Sequence, residues 1–318
     1  MSRFETFELP DYLKPLLKKA KFLEWLTLLY LLSTIILMYL VMGSSQAMKT
    51  AWLEDALSTL PAISFLIATR FHNKTPNVNF PYGYHRVFSI AFLTGALALF
   101  GMGCFLAIDS AVSLISQDHP TIGSMMFMGN QIWMGWLMIA ALVYSAIPSM
   151  ILGYKKLPIA KKLHNKILYT DANTQKADYM TAFAAVLGIL GVGLGFWWMD
   201  ATAALFISIS VIKDGFINLK DAIKDLMDRR PVHVDDSKPD ELVDTIEELV
   251  NSWDWVIMAN VRFREHGQVY FGEVFVVLAP DLDPSLYLET GIAEIKKLHW
   301  KINDITFMPV NSLPTNTG

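Results

Sequence analysis

The sequence predicts an α-helical membrane protein: six transmembrane helices followed by a small α+β cytoplasmic domain. Three observations carry that prediction. Hydrophobic residues make up 53% of the chain and mean hydropathy is +0.36, too apolar for an ordinary soluble domain. Six runs reach the length of about 20 apolar residues that a span needs. After Arg230 the composition turns polar and periodic in a different way.

The spans follow in order, each judged with the charge of its connections. The first, about Leu23–Met42, follows an arm carrying Lys14, Lys18, Lys19 and Lys21. The second, about Met48–Thr69, follows a connection with Lys49 alone. Arg70, Lys74 and Arg86 lead into the third, about Phe88–Ile115. The fourth, about Asn130–Leu152, follows a connection without Lys or Arg, and its Met-rich outer end reads as packing surface rather than a soft-metal site. Lys155, Lys156, Lys161, Lys162 and Lys166 precede the fifth, about Asp178–Trp198. The sixth, about Asp200–Leu219, is followed by Lys220, Lys224, Arg229 and Arg230. Basic residues alternate from connection to connection, so the positive-inside rule places both termini in the cytoplasm. Trp133, Trp136, Trp197 and Trp198 fit an outer aromatic belt. The first residues lack the apolar core and small-residue cleavage site of a signal peptide.

Residues 231–318 read as a separate unit from the membrane domain, 1–230. An amphipathic helix runs from about Pro239 to Asn251, and two β-rich runs flank "EHGQ", a hairpin signal. "PSLYLETGIAEIKKLHWKI" has helical spacing, and "DITFMPV" is a short last strand. The order αββαβ predicts a ferredoxin-like domain. The net charge of −4 gives no reason to expect nucleic acid, and Cys104, the chain's single cysteine, allows no intrachain disulfide.

"LYTDANTQKADYM", Leu168–Met180, sets Asp171, Lys176 and Asp178 at the mouth of the fifth span. A charge in hydrocarbon costs about 2.5–3.5 kcal/mol on insertion scales, so such residues call for a reason. Positions i, i+3 and i+7 share a helix face, which aligns Asp171, Thr174 and Asp178. "WLEDALSTLPAIS" in the second span offers Glu54, Asp55 and Ser58, with Pro61 able to bend the helix or free a carbonyl. Two such helices facing each other would surround a cation with oxygen. The plainer reading is that Asp178 pairs with a basic residue, Asp171 lies in the interface, and Ser58 and Thr174 bond to their own backbones. Asp109 in the third span is a candidate for pairing or relay. Lys176 lies on another face and is a candidate for pairing or snorkelling.

The chain resembles the cation diffusion facilitator family of divalent-cation/proton antiporters from about Tyr12 to Pro309. "FPYGYHRVFSIAF" is similar to the family's loop after the second helix, "ILYTDANTQKAD" to its Asp-Ala-x-His-x-x-x-Asp helix, and "WWMDATAALFISISVIKDG" to its sixth helix, with Asp200 at the usual Asp. The resemblance implies a four-residue transport site at Ser58, Ala62, Thr174 and Asp178, of which Asp178 alone keeps an expected ligand. Glu54, Asp55 and Asp171 are the neighbouring acids that would compensate. A metal site of Asp178, Asp171, Asp55, Thr174, Ser58 and Glu54 is hard, all-oxygen and free of imidazole, suited to manganese, magnesium or a monovalent ion more than zinc.

Accessory positions depart too. Asn77, Phe80, Tyr84 and Phe88 stand at loop positions where the family has acids and histidines, and Ala259, Phe275 and Met308 where its soluble domain often has His. His72 and His85 read as interfacial side chains; His233, His266 and His299 have no ligand spacing among them. Two functions remain. One is a transporter, not an enzyme, exporting a cation from the cytoplasm in exchange for protons, as a homodimer through the cytoplasmic domain in the cell (inner) membrane. No cofactor is bound permanently, and the cation is cargo of unassigned identity. The other is a homologue without transport that acts as a membrane binding or regulatory partner.

Overall fold

The computed structural model describes residues 8–72, 74–127, 130–235, 237–280 and 284–313. Six helical segments are long and apolar enough to cross a membrane. They are α1 (Lys14–Val41), α2 (Gln46–Leu57) with α3 (Thr59–His72), α4 (Val87–Ile115), α5 (Met134–Lys162), α6 (Lys166–Gly193) and α7 (Trp198–Leu226). A short antiparallel hairpin, β1 (Ser124–Phe127) and β2 (Asn130–Trp133), precedes α5.

The spans start and stop elsewhere than hydropathy predicts. The fifth begins at Lys166 rather than about Asp178, because Asn165 caps it by accepting from Leu168 N at 2.9 Å. Asp171 and Thr174 are therefore inside the helix, not at its mouth. The fourth runs on to Lys162, and the first begins at Lys14, so most of the basic arm is helical. The second span is interrupted at Ser58. Pro61 has no N–H to donate to the Leu57 carbonyl. The hydroxyls of Ser58 and Thr59 bond instead to the Glu54 and Ala56 carbonyls, at 3.0 and 2.6 Å.

Small residues let the helices approach closely. A methyl group on Gly153 of α5 would lie 2.6 Å from the Ala172 carbonyl oxygen of α6. One on Gly215 of α7 would lie 2.6 Å from the Phe100 nitrogen of α4. Asp200 at the head of α7 accepts from Ser45 Oγ at 2.6 Å and Gln46 N at 2.5 Å, satisfying orphan donors at the start of α2.

The C-terminal α+β region contains α8 (Leu242–Asn251), β3 (Val256–His266), β4 (Val269–Leu278), α9 (Pro284–Leu298) and β5 (Ile302–Pro309). The sheet order is β3-β4-β5, with β4 antiparallel to β3 and parallel to β5. Val243, Ile246, Val250, Val274, Val276 and Ile295 form its core. The β3–β4 turn needs Gly267: its φ is +69°, and a methyl there would lie 2.6 Å from the His85 carbonyl. The hairpin tip thus abuts the loop after the second span.

Polar contacts fasten the two parts together. Lys166, the first residue of α6, bonds Asp225 of α7 and Glu265 of β3, each at 3.0 Å. Gln268 donates to the Leu163 carbonyl at 2.6 Å. Burial alone would raise the Glu265 carboxyl, but the Lys166 ammonium and His164 beside it bring it down to about 2.

Candidate functional site

The antiparallel pair α5 and α6 sets the site. Lys156 and Ser149 of α5 are seven residues apart, as are Asp171 and Asp178 of α6, and each faces its counterpart across the contact at Gly153. The outcome at the two levels differs. Lys156 Nζ donates to Asp171 Oδ2 at 2.6 Å and to Glu24 Oε2 of α1 at 3.0 Å, with both the Lys156 and Glu24 side chains fully buried. Gln175 donates to the other Asp171 oxygen at 3.2 Å. Asp171 is thereby held in a buried ion cluster.

Asp178 instead accepts from the Ser149 hydroxyl. Asp55 accepts from Ser145, one turn along α5, at 2.6 Å, and Glu54 from Thr181 of α6 at 3.3 Å. Hydroxyls thus orient all three acids, and no ion pair among the described residues involves any of them. Glu54 and Asp55 are carried by α2 and Asp178 by α6, and the hydroxyls that hold Asp55 and Asp178 are one turn apart on α5. Ser58 and Thr174 line a cavity of about 40 Å³ that Asp171 also lines and that Glu54, Asp55 and Asp178 do not. The six sequence candidates therefore divide into an acid trio, Glu54, Asp55 and Asp178, and a second group, Ser58, Thr174 and Asp171. Among the described residues, no three His, Cys, Asp or Glu side chains are gathered tightly enough to hold a metal ion. Ala62 is fully buried.

Glu24, Ser145 and Ser149 were not among the sequence candidates. Glu24 lies in a span flanked by Lys21, where it reads as an interfacial charge. Ser145 and Ser149 carry a signal that could have found them: with Gly153 they form a small-residue row at i, i+4 and i+8. Two other intramembrane charges have structural partners. Asp109 pairs with Lys49 at 2.7 Å, and Lys176 sits 5.6 Å over the Tyr154 ring.

At the accessory positions packing and hydrogen bonds operate. Asn77 Oδ1 accepts from the Asn79 and Phe80 amides, its Nδ2 donates to Tyr84 at 2.9 Å, and the Phe80 and Tyr84 rings are 4.7 Å apart. The His72 side chain lies outside the described residues. Ala259 faces α8, pinned by Asn251, whereas Phe275 is on the opposite face of the sheet beneath Arg262 and beside Met308. Those three positions do not converge. His266 lies 2.9 Å from Arg86 and 3.3 Å from Asp228. Met126 is exposed and Met138 buried, so the Met-rich stretch is not one cluster there; Met128 lies outside the described residues.

Comparison with known proteins agrees with this architecture. The model of the cation efflux transmembrane domain matches residues 24–227. The chain is 21% identical to the uncharacterized transporter YdbO of Bacillus subtilis over 86% of this chain and 88% of that relative. It is 23% identical to the manganese efflux system protein MneS of the same organism, over 58% of this chain and 59% of the relative. It is also 23% identical to the magnetosome protein MamM of Paramagnetospirillum magneticum, over 76% and 71%. With six helices of membrane-spanning length, a small α+β tail and a domain model covering most of the helical part, the chain belongs to the cation diffusion facilitator family and is a multi-pass membrane protein.

Proposed function

We propose that the protein exports a hard divalent cation, manganese foremost, from the cytoplasm in exchange for protons. The carrying observation is the acid trio: three carboxylates from two helices, oriented by hydroxyls and outside every ion pair among the described residues. Intramembrane charge left uncompensated in this way is the usual mark of an ion or proton pathway. Oxygen ligands without imidazole suit manganese or magnesium over zinc, and MneS, a relative, is named for manganese efflux.

In this reading α2 and α6 move together to close Glu54, Asp55 and Asp178 around the ion, and opening to the other side lets protons replace it. Asp171 is a positioning residue within the Lys156 cluster. Both termini are cytoplasmic, in keeping with the basic connections, and the membrane is the cell (inner) membrane. The domain of residues 231–318 forms the homodimer through its open sheet face, where Phe275 and Met308 supply apolar contact. The test is flux of radiolabelled manganese, zinc, cobalt, iron and magnesium in liposomes with and without a proton gradient. Proton-coupled manganese flux, lost in Asp178→Asn, is the expected result. A folded parent that moves none of these ions would transfer the protein to the regulatory class.

A further inference from the structure

Lysines collect at one end of the contact between α1 and α5, the end where Gln268 of the C-terminal region bonds the Leu163 carbonyl. On α1, Lys14, Lys18, Trp25, Leu29, Leu32 and Ile36 share one helical face and are all exposed. Lys21 lies on the same face, half-buried. On α5, Tyr144, Ile151, Lys155 and Lys162 form a second exposed stripe. Each stripe is therefore apolar along the span and cationic at one end. The two lie side by side: Tyr30 donates to the Tyr144 carbonyl at 2.8 Å, and the Ser33 and Tyr144 hydroxyls are 2.9 Å apart. Towards the lysines, Ala20 and Leu23 of α1 share a core with Leu152 and Ile159 of α5. The helices run antiparallel, so Lys18 and Lys21 reach the membrane surface beside Lys155 and Lys162.

These four lysines lack a carboxylate. Lys49, Lys156, Lys166, Lys238 and Lys301 each pair with one, and Lys14 is taken by Asp11. Among the described residues no ion pair involves Lys18, Lys21, Lys155 or Lys162. Glu24 stands one turn from Lys21 but faces inward, to Lys156 at 3.0 Å. The counter-charge at this surface therefore comes from outside the chain. Lysines at a helix end snorkel to the headgroup level, where the anions are phosphates. The apolar stripes beneath them select the carrier of that phosphate. Free phosphate would leave Trp25, Leu29 and Ile151 uncovered, whereas a phospholipid covers them with its acyl chains. An anionic headgroup suits four lysines better than a zwitterionic one, which brings a cation of its own.

We propose that the joint face of α1 and α5 binds an anionic phospholipid, its phosphate held among Lys18, Lys21, Lys155 and Lys162 and its acyl chains laid along Trp25 and Ile151. The site does not depend on the transport reading.

Purified full-length protein is reconstituted in phosphatidylcholine vesicles holding a minor fraction of brominated phosphatidylglycerol or, separately, brominated phosphatidylcholine. Bromine quenches tryptophan at contact, and the quenching in the parent minus that in Trp25→Phe isolates the signal at this face. Phosphatidylglycerol should be preferred about tenfold, and less so at high salt. The combined variant Lys18→Gln, Lys21→Gln, Lys155→Gln should reduce the preference to about twofold or less, while Lys18→Arg, Lys21→Arg, Lys155→Arg should keep it. The same loss of charge elsewhere, in Lys213→Gln, Lys220→Gln, Lys297→Gln, should leave it unchanged. Equal quenching of the parent by the two lipids would mean that these lysines do no more than orient the helices, and would overturn the proposal. So would a preference that survives the three glutamines on α1 and α5, or one that falls equally in the distant variant. Absence of Trp25 quenching by either lipid would place protein, such as a second copy of the chain, on this face and would overturn it as well.

Discussion

Replacing Lys156 by Met tests whether Asp171 is structural. The lysine is fully buried and lies between two carboxylates, Glu24 at 3.0 Å and Asp171 at 2.6 Å, which are almost as dry. At an effective dielectric of about 20, a unit pair about 4 Å apart is worth about 4 kcal/mol. Removing one partner of a buried pair typically costs about 3–5 kcal/mol, because the other charge stays behind unpaired. Lys156→Met strands two like charges at once, so its cost belongs at or above the top of that range. Asp171→Asn is different in kind. It leaves Glu24 facing Lys156, a balanced pair, and the amide keeps an oxygen for Gln175 or Lys156, so the loss is that of one charged hydrogen bond, about 1.5–3 kcal/mol. The triple change Glu24→Gln, Lys156→Met, Asp171→Asn removes all three charges and should recover most of the stability lost in Lys156→Met. Apparent melting temperature in detergent, at fixed scan rate, ranks the variants. Equal melting of Lys156→Met and Asp171→Asn, or no recovery in the triple variant, would refute the argument that the cluster is a closed electrostatic unit.

Three further outcomes follow from other contacts. Gly153→Ala should destabilise the α5–α6 contact by about 1–3 kcal/mol, since its methyl meets backbone atoms that cannot turn aside; unchanged melting would count against it. Gly267→Val should loosen the soluble domain from the membrane domain by strain at φ +69° and by collision with the His85 carbonyl, read as faster proteolysis near residue 230 with the spans intact. Burial and the Arg86 guanidinium hold His266 down to about 4, below the ordinary imidazole value of about 6.5. The folded state therefore binds fewer protons than the unfolded one, and this contribution to stability falls as pH drops from about 6.5 to 4. His266→Asn should flatten melting temperature across that window; an unchanged slope would assign the pH dependence to another group.

Much of the architecture was legible in the sequence, and the reasons are physical. A span announces itself by length and apolarity alone, and the αββαβ order by a change of period after Arg230. Boundaries were less legible. Hydropathy puts the start of the fifth span at about Asp178, because Asp171, Gln175 and Lys176 lower the local average; the helix itself begins at Lys166, where Asn165 supplies a cap and soluble-domain side chains hold the end. At the site, residue spacing gathered the right helices but not the right partners. That Asp171 and Asp178 share a face follows from their seven-residue separation. That one meets Lys156 and the other Ser149 depends on the register of α5, set by the close contact at Gly153, which no local pattern fixes.

The division among the intramembrane charges carries the functional argument furthest. Glu24 and Asp171 share Lys156, Asp109 has Lys49, and Asp200 is satisfied by Ser45 and backbone amides. Each of these charges is explained by holding helices together, and no ion is needed to account for it. Glu54, Asp55 and Asp178 differ. Hydroxyls hold their positions without neutralising them, on a span already interrupted at Ser58 and against a helix whose first residue, Lys166, is tied to the soluble domain. A chain without use for an ion would lose nothing by carrying Asn or Leu there, and would avoid the cost of burying three carboxylates. In the proposed reading an exchanged ion accounts for the trio where helix packing does not, while the Lys166 tie links the C-terminal domain directly to the helix that carries Asp178.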